Sequence, residues 1–311
     1  MLRPSNLSYW RKGLEVQNFG DFLSELLYAE LAGRGLFERN GGKPKQDYAF
    51  IHLIGSVISD SHVKAALEHA GDGPHAKIAF WGCGKRDAAP LDEELRRHCV
   101  FLGARGPLTR DALGLPPETP LGDPALLLPT IYRPRLREEL RFKTMCVPHF
   151  LETQSDEDLR RKTGADVVLR PNMASRIEDA RAFIDRLVSA EFVLCGALHA
   201  AIVRYAYGRK FSYFDSGYID VPFKWRDFSA SVGIGERFAT TVAQGEALYG
   251  EQTAGRIGLP DLREIWRCAP LHLPRRLRRR IADVAAGAKS PGSDDIAADR
   301  IARLDRPAAP S

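Results

Sequence analysis

The chain has 311 residues, of which 44% are hydrophobic and 27% charged, and a formal net charge of +5. This is ordinary globular composition with enough length for two domains, and so mild a charge gives no reason to expect a nucleic-acid partner. No segment approaches the roughly 20 apolar residues of a membrane-spanning helix, and no apolar signal peptide begins the chain, so we expect a cytoplasmic protein. The five cysteines lack metal-binding spacing, so no zinc site is expected.

Short apolar runs alternate with amphipathic stretches in the first part of the chain. Strands are predicted over residues 48–54, 77–82 and 99–104. Glycine-containing turns follow them and lead into helical patterns, as from Val63 and from Pro107, where proline is tolerated at a helix start. This alternation is typical of βα units around a mostly parallel sheet, and it predicts an N-terminal α/β lobe over residues 1–130.

A second α/β series follows the segment 128–142, which has two prolines and clustered charge without strand alternation. Strands are predicted in the runs TMCVPHF, DVVLRP, EFVLC and FSYFDSG. Helices are predicted from about Ser155, from Ser175 or Arg176 to Ala190, and from Ala197 to Tyr207. A short helix over KWRDFSASVG is predicted to end at Gly233, because glycine is favoured just past helix ends. These elements predict a C-terminal α/β lobe over residues 131–255.

A basic segment, residues 256–289, follows the second lobe. Its apolar residues recur at spacings of four, four and three, as on one side of a helix: Leu273, Leu277, Ile281 and Val284. That side either packs on the protein, which we favour, or rests on an anionic inner-membrane surface through residues 274–284. Residues 290–311 are small, polar and flanked by proline, which predicts a largely disordered tail.

The motif NFGD, residues 18–21, places a glycine turn at the start of a predicted helix. Free backbone N–H groups and the positive end of the helix dipole would bind a phosphate or carboxylate there, beside Asn18 and Gly20. Asn18 or Asp21 is also suited to capping the helix, and from spacing alone we favour the cap.

Further candidate residues follow predicted strands. Gly55-Ser56 and Gly82 lie in turns beyond strand ends, where ligands bind in open α/β sheets and where glycine lets the backbone approach them. Ordinary strand-to-helix turns are the alternative. Arg105 directly follows the third strand, and its guanidinium suits a carboxylate or phosphate as well as it suits a structural contact.

Two histidines lie just past predicted strands of the second lobe. His149 follows Val147-Pro148, and His199 lies at the start of a helix entered from a strand. A lone histidine is more often structural. Two in these positions would converge on one crevice, where imidazole acts as a general acid or base near neutral pH.

The ordered motifs NFGD, GS, WGCG, RGPLTRDALG, LGDPALLLP, VPHF, GALHAAIVRYAYG and KWRDFSAS resemble the polysaccharide pyruvyl transferase family. The resemblance is closest to the branch of bacterial succinoglycan-type exopolysaccharide synthesis, and the order and spacing of the motifs over residues 10–235 carry it. It implies an α/β fold of two Rossmann-like lobes, like the GT-B glycosyltransferases. It also implies phosphoenolpyruvate as donor, a lipid-linked or nucleotide-linked saccharide as acceptor, and no metal or nicotinamide cofactor.

The resemblance also maps donor contacts onto this chain. A Leu-His pair of the family corresponds to Leu198 and His199, but Ala197 stands where many members have arginine. One anion contact is therefore left to another side chain. The candidates for it are Arg105, Arg170 and Arg204.

The implied reaction joins pyruvate to two sugar hydroxyls as a ketal. We expect His199 to protonate the methylene carbon of the donor, and His149 or Asp21 to accept a hydroxyl proton. The residues expected to hold the donor are Asn18, Gly20, Gly55, Ser56, Gly82, Arg105 and Leu198. Two alternatives stay open, because fold does not decide function: a glycosyltransferase that uses a nucleotide sugar, and an inactive partner in a polysaccharide assembly complex.

Overall fold

Strands alternate with helices through most of the chain. The computed structural model describes residues 7–32, 48–70, 76–253, 261–270 and 275–285. Within them the α/β class expected from the sequence is confirmed. In chain order the strands are β1 (Val16–Asn18), β2 (Phe50–His52), β3 (Ile78–Phe80), β4 (Cys99–Phe101), β5 (Thr144–Val147), β6 (Val167–Val168), β7 (Asn172–Ala174), β8 (Phe192–Cys195), β9 (Phe211–Phe214) and β10 (Phe238–Ala239).

The helices lie mostly between consecutive strands, as the sequence pattern predicts. They are α1 (Phe19–Ala32), α2 (Asp60–Ala70), α3 (Glu93–Arg96), α4 (Pro107–Ala112), α5 (Leu128–Ile131), α6 (Asp156–Thr163), α7 (Ile177–Ser189), α8 (Leu198–Ala206), α9 (Pro222–Val232), α10 (Val242–Thr253), α11 (Leu262–Arg267) and α12 (Arg275–Ala285). Short 3₁₀ turns cover Pro124–Leu127 and Glu138–Leu140.

Local sequence signals set several helix ends. Ser155 accepts a hydrogen bond from the backbone N–H of Asp158 at 3.1 Å and so caps the start of α6. The same helix ends at Gly164, which has a φ of 72°. Gly233, with a φ of 68°, ends α9 in the same left-handed conformation, as the sequence predicts.

Eight of the ten described strands form two parallel sheets, and β1 and β7 form a separate antiparallel pair. β2, β3 and β4 lie side by side in that order in the smaller sheet. The larger sheet has the order β10-β9-β8-β5-β6, with β8 at its centre. Every residue of β8 and β9 is buried, which explains why the sequence of β8, FVLC, is a continuous apolar run rather than an alternating one.

The core does not divide where the sheets do. The predicted boundary near residue 130 falls between β4 and β5, but β1 pairs antiparallel with β7, and α1 packs on α7 and α8. The first helix therefore lies with the second sheet, although its sequence belongs to the predicted first lobe. Conversely, α9 from the predicted second lobe packs on α4 from the predicted first lobe. One apolar cluster joins residues of the two sheets, since it includes Ile51 and Ala79 as well as Met145 and Val193.

The basic helix α12 packs on α5 and α11. Leu277 and Ile281 are buried in the protein core, so at these positions the apolar side contacts protein, as the favoured alternative predicts. Leu273, the side chain of Val284 and the predicted tail 290–311 lie outside the described residues. None of the described helices is long and apolar enough to cross a membrane.

Candidate functional site

A cleft of about 450 Å³ opens where strands of both sheets end. The turns after β2, β5 and β8 line it, and these are the carboxyl ends of parallel strands, where ligands bind in open α/β sheets. The structure brings together eight of the ten site residues expected from the sequence, whereas Gly82 and Arg105 do not line the cleft. The eight are Asn18, Gly20, Asp21, Gly55, Ser56, His149, Leu198 and His199.

The junction between β1 and α1 forms one side of the cleft. Asn18 Nδ2 donates a hydrogen bond of 2.5 Å to Asp21 Oδ2, so these side chains bond to each other across the first helical turn. The capping interpretation predicts instead a bond to a backbone N–H. Burial raises the pKa of Asp21, and the bond from Asn18 and the charges of His199 and Lys224 oppose the shift. A carboxyl group with a raised pKa takes up a proton more readily near neutral pH.

His199 lies against Gly20. It is the second residue of α8, which begins shortly after β8 ends. A Cβ on residue 20 would lie 2.5 Å from His199 Nδ1, so only glycine leaves room for the imidazole. Nε2 lies 3.6 Å from Asp123 Oδ2, and both of these atoms are buried without a hydrogen bond. The ring is thus held between a glycine turn and a carboxylate, with Nδ1 on the side of Gly20 and the cleft.

Sequence reasoning does not place Asp123 in the site. The residue is fully buried and starts the Pro124–Leu127 turn, where its Oδ1 accepts a hydrogen bond of 2.9 Å from the backbone N–H of Ala125. An aspartate before a proline predicts such a cap but says nothing about the second carboxylate oxygen. Packing of this turn on α8 brings that oxygen to His199.

His149 is held at both ring nitrogens. The backbone N–H of Leu151 donates to Nδ1 at 3.3 Å, so the proton of the neutral ring is on Nε2. Nε2 lies 3.5 Å from Asp220 Oδ2. Because the protein engages both nitrogens, His149 is less suited than Asp21 to accept a proton from a substrate.

Asp220 pairs with several basic groups of the cleft besides His149. Lys224 on α9 donates to it, and Arg86 Nη2 lies 3.7 Å away. Burial raises the pKa of Asp220, but the hydrogen bonds from His149 and Lys224 outweigh burial, so the pKa is lowered well below the usual range. Burial also lowers the pKa of Lys224, with Asp220 opposing the shift and Arg105 and Arg86 adding to it. An anionic ligand would therefore compete with Asp220 for Lys224 and Arg86.

Arg105 is fully buried behind Ser56. Nη1 donates to Ser56 Oγ at 2.8 Å, and Nε lies 3.5 Å from Asp227 Oδ2. Asp227 also accepts hydrogen bonds from the backbone N–H and the hydroxyl of Thr109. Arg105, expected from the sequence as a donor contact, therefore does not line the cleft: its side chain joins α9 to the first sheet, with Nε and Nη2 buried without a hydrogen bond. It reaches the cleft only through Ser56, whose hydroxyl proton is left to donate to a ligand.

Gly82 has a packing role that the sequence does not reveal. Its φ is 63°, and a Cβ there would lie 2.4 Å from the backbone oxygen of Gly122. The turn after β3 therefore lies against the loop that leads to Pro124, away from the cleft. Arg170 and Arg204, the other candidates for an anion contact, do not line the cleft. Arg170 donates to the backbone oxygen of Glu152, and Arg204 donates to the backbone oxygens of Leu187, in α7, and of Ala190.

Sequence reasoning misses three charged residues of the cleft, namely Arg86, Lys224 and Asp220. Arg86 comes two residues after the WGCG motif, and Lys224 begins KWRDFSAS, so both lie at motifs that carry the resemblance. Neither directly follows a strand, and for that reason the pattern of strand ends does not select them. Six further residues line the cleft and are not among the ten expected site residues: Trp10, Val57, His62, Phe150, Leu151 and Ala197.

Known proteins show little likeness to this chain. No family model matches it, and no curated protein matches its sequence. Among solved structures, the chain is similar to an uncharacterized protein from Klebsiella pneumoniae, with 17% sequence identity and a TM-score of 0.38, over 72% of this chain and 86% of that one. A likeness of that extent carries no argument about function, which therefore rests on the chemistry of the cleft.

Proposed function

We propose that this chain transfers pyruvate from phosphoenolpyruvate to two hydroxyls of a sugar, forming a ketal on an exopolysaccharide precursor. One observation carries the proposal: a histidine, a carboxyl group of raised pKa and two basic side chains converge on one cleft. Phosphoenolpyruvate has a carboxylate and a phosphate, so its site needs cationic contacts beside an acid that reaches the methylene carbon. The resemblance to the pyruvyl transferases favours the same donor.

Arg86 and Lys224 are the proposed contacts for the anionic groups of the donor. They substitute for the basic residue that family members have where this chain has Ala197. The Ser56 hydroxyl and the backbone around Gly20, at the start of α1, would complete the site. A hydrogen bond to a charged group contributes about 1.5–3 kcal/mol, so loss of either cation should weaken donor binding by at least about tenfold.

His199 is the proposed acid. Its proton goes to the methylene carbon of phosphoenolpyruvate, which becomes the methyl group and leaves the adjacent carbon electron-poor. A sugar hydroxyl adds to that carbon through its oxygen and gives its proton to a base. The second hydroxyl then forms the other C–O bond while the bond to phosphate breaks, and its proton leaves with the phosphate. The base returns its proton to His199, and no electrons are transferred, so the reaction needs neither metal nor nicotinamide.

Asp21 is the proposed base, in preference to His149. Burial raises the pKa of Asp21, which favours proton uptake, and its Oδ1 lies beside the Gly55 turn, 3.7 Å from where a Cβ on residue 55 would be. His149 would instead hold Asp220 in place. The sequence alone left these two residues as equal candidates.

The proposal includes the finer architecture implied by the resemblance, two Rossmann-like lobes arranged as in GT-B glycosyltransferases. Support comes from two parallel sheets whose strand ends meet at one cleft. The acceptor would be a lipid-linked or nucleotide-linked saccharide in the cytoplasm. Exposed arginines of α12 could then lie near an anionic membrane surface while its apolar side packs on the protein: Arg275, Arg278 and Arg279.

Thermal unfolding with phosphoenolpyruvate tests the donor. A ligand that binds only the folded state raises the unfolding temperature, so phosphoenolpyruvate should raise it more than phosphate or pyruvate does. The shift should fall strongly in Arg86→Met and Lys224→Met. Lys64→Met, which removes an exposed lysine of α2 outside the cleft, is the matched control and should keep the full shift.

The same experiment separates the alternatives. Stabilisation by UDP-sugars without stabilisation by phosphoenolpyruvate would replace the proposal with glycosyl transfer. No stabilisation by any of these ligands would reject both enzymatic functions and favour an inactive assembly partner.

A further inference from the structure

One edge of the cleft carries apolar side chains that the proposed donor chemistry does not use. Trp10 lines the cleft and is 41% exposed. Its ring meets Phe150 edge to face, with the centroids 5.3 Å apart. Leu151 also lines the cleft and is 61% exposed. These residues form an apolar rim beside the charged residues of the cleft.

Trp10 is fixed in place although it is exposed. The guanidinium of Arg11 lies over both the Trp10 and Phe150 rings, 5.4 Å from each centroid. Arg11 has a φ of 64°, a left-handed conformation that is unfavourable for residues with a side chain. Its backbone oxygen accepts from Gln17 Nε2 at 2.8 Å, and its Nε donates to the oxygen of Val16 at 2.9 Å. A backbone outlier held by its surroundings beside a cleft is typical of a ligand site.

Tyr218 adds an exposed ring beside the catalytic cleft. It is 59% exposed, and its ring centroid lies 5.8 Å from that of His149. Its hydroxyl donates to Asp220 Oδ1 at 3.4 Å, which directs the polar end of the side chain to a residue of the cleft. The ring itself is left as further apolar surface.

We propose that this rim, formed by Trp10, Phe150, Leu151 and Tyr218, is the acceptor subsite and that it binds a pyranose ring stacked on Trp10. A pyranose has an apolar face of C–H groups and a polar edge of hydroxyls. An aromatic ring next to polar groups matches both features, and exposed apolar surface at a cleft marks a binding site. The assignment as acceptor rests on the proposed function, whereas saccharide binding itself does not require the donor.

Saturation-transfer NMR with methyl β-D-galactopyranoside and methyl β-D-glucopyranoside tests the subsite. The wild-type protein should transfer saturation to the ring C–H protons of at least one of them. In Trp10→Ala the dissociation constant should rise by about tenfold. Trp10→Phe, which keeps an aromatic ring, should retain much of the binding. Phe142→Ala removes an aromatic side chain that is 56% exposed and does not line the cleft, so this control should bind like the wild type.

Two results would overturn the subsite: no saturation transfer to either pyranoside, or equal binding by wild type and Trp10→Ala. Thermal shifts with phosphoenolpyruvate, measured on the same variants, keep this failure distinct from failure of the proposed function. A donor shift without pyranoside binding would reject the subsite alone. Pyranoside binding that depends on Trp10, without a donor shift, would reject the proposed function and leave a saccharide site.

Discussion

This protein has a buried arginine, Arg105, and two basic residues in the cleft, Arg86 and Lys224, and the two sets differ in the groups that they contact. Arg105 is fully buried between Ser56 and Asp227. Arg86 and Lys224 line the cleft and share Asp220. The difference shows that an arginine just past a strand is not thereby a ligand contact. Its role depends on the protein groups that surround it, and Arg105 has a hydroxyl and a buried carboxylate beside it, although its Nε and Nη2 make no hydrogen bond.

Helix α9 supplies Lys224 to the cleft and Asp227 as the partner of Arg105. Lys224 faces the cleft, and Asp227 lies three residues later, close to the same side of the helix, where it pairs with Arg105. One helix therefore fixes the spacing between the cleft cations and the buried junction formed by Arg105 and Asp227. Substitutions in the cleft should change chemistry with little effect on stability, whereas substitutions in the junction should do the reverse.

The largest expected effect is on turnover and comes from the cleft. His199→Ala should lower the rate of phosphate release from phosphoenolpyruvate by about 10²- to 10⁴-fold, measured with a saccharide that binds in the NMR experiment. The variant should stay folded, although Asp123 loses the imidazole beside it and some free energy of unfolding is lost with it. His69→Ala removes an exposed histidine of α2 and should leave turnover unchanged. Near-normal turnover in His199→Ala would exclude this residue as the acid.

The next effect is on stability and comes from the junction. Arg105→Met leaves Asp227 buried without its cation and should lower the free energy of unfolding in urea by about 3–5 kcal/mol. The thermal shift with phosphoenolpyruvate should persist. Arg86→Met should show the opposite behaviour, with a change in stability within about 0.5 kcal/mol and a weakened donor shift. If Arg105→Met kept full stability and lost the donor shift, the distinction between the two groups would be wrong.

The same distinction explains how far the sequence leads. Local signals predict seven of the ten described strands and the helix end at Gly233, and eight of the ten expected site residues do meet in one cleft. They do not reveal which partner a buried side chain finds. Gly82 and Arg105 follow strands as the others do, but Gly122 and Asp227, which lie far along the chain, engage them.

Distant pairing also explains why helix α1 packs with elements of the second sheet. Its position with the second sheet depends on β1, a strand of three residues that pairs with β7 more than 150 residues later. The run VQN has neither an apolar alternation nor a turn that would indicate this partner. Asp123 was missed for a similar reason, because its contact with His199 arises only when the Pro124–Leu127 turn packs on α8.

The smallest expected effects concern the two carboxyl groups of the cleft, and they have opposite signs. The pKa of Asp220 is lowered in the folded protein, so its ionised form adds stability above its unfolded pKa of about 3.9, and this is lost as pH falls through the folded pKa. The pKa of Asp21 is raised, so its ionisation costs stability at neutral pH. Asp220→Asn should therefore destabilise the protein at pH 7, whereas Asp21→Asn should stabilise it.

Urea unfolding from about pH 3 to pH 8 measures the change in free energy of unfolding of both variants. Both changes should be smaller than the loss expected for Arg105→Met, because solvent in the cleft screens the charges. The stability gained by Asp21→Asn should shrink as pH falls through the folded pKa of Asp21 and vanish below its unfolded pKa. Asp87→Asn, at an exposed carboxyl, should follow the wild type throughout. If both cleft variants were destabilised at pH 7, Asp21 would be a structural carboxylate favoured in its charged form, and the base would have to be His149.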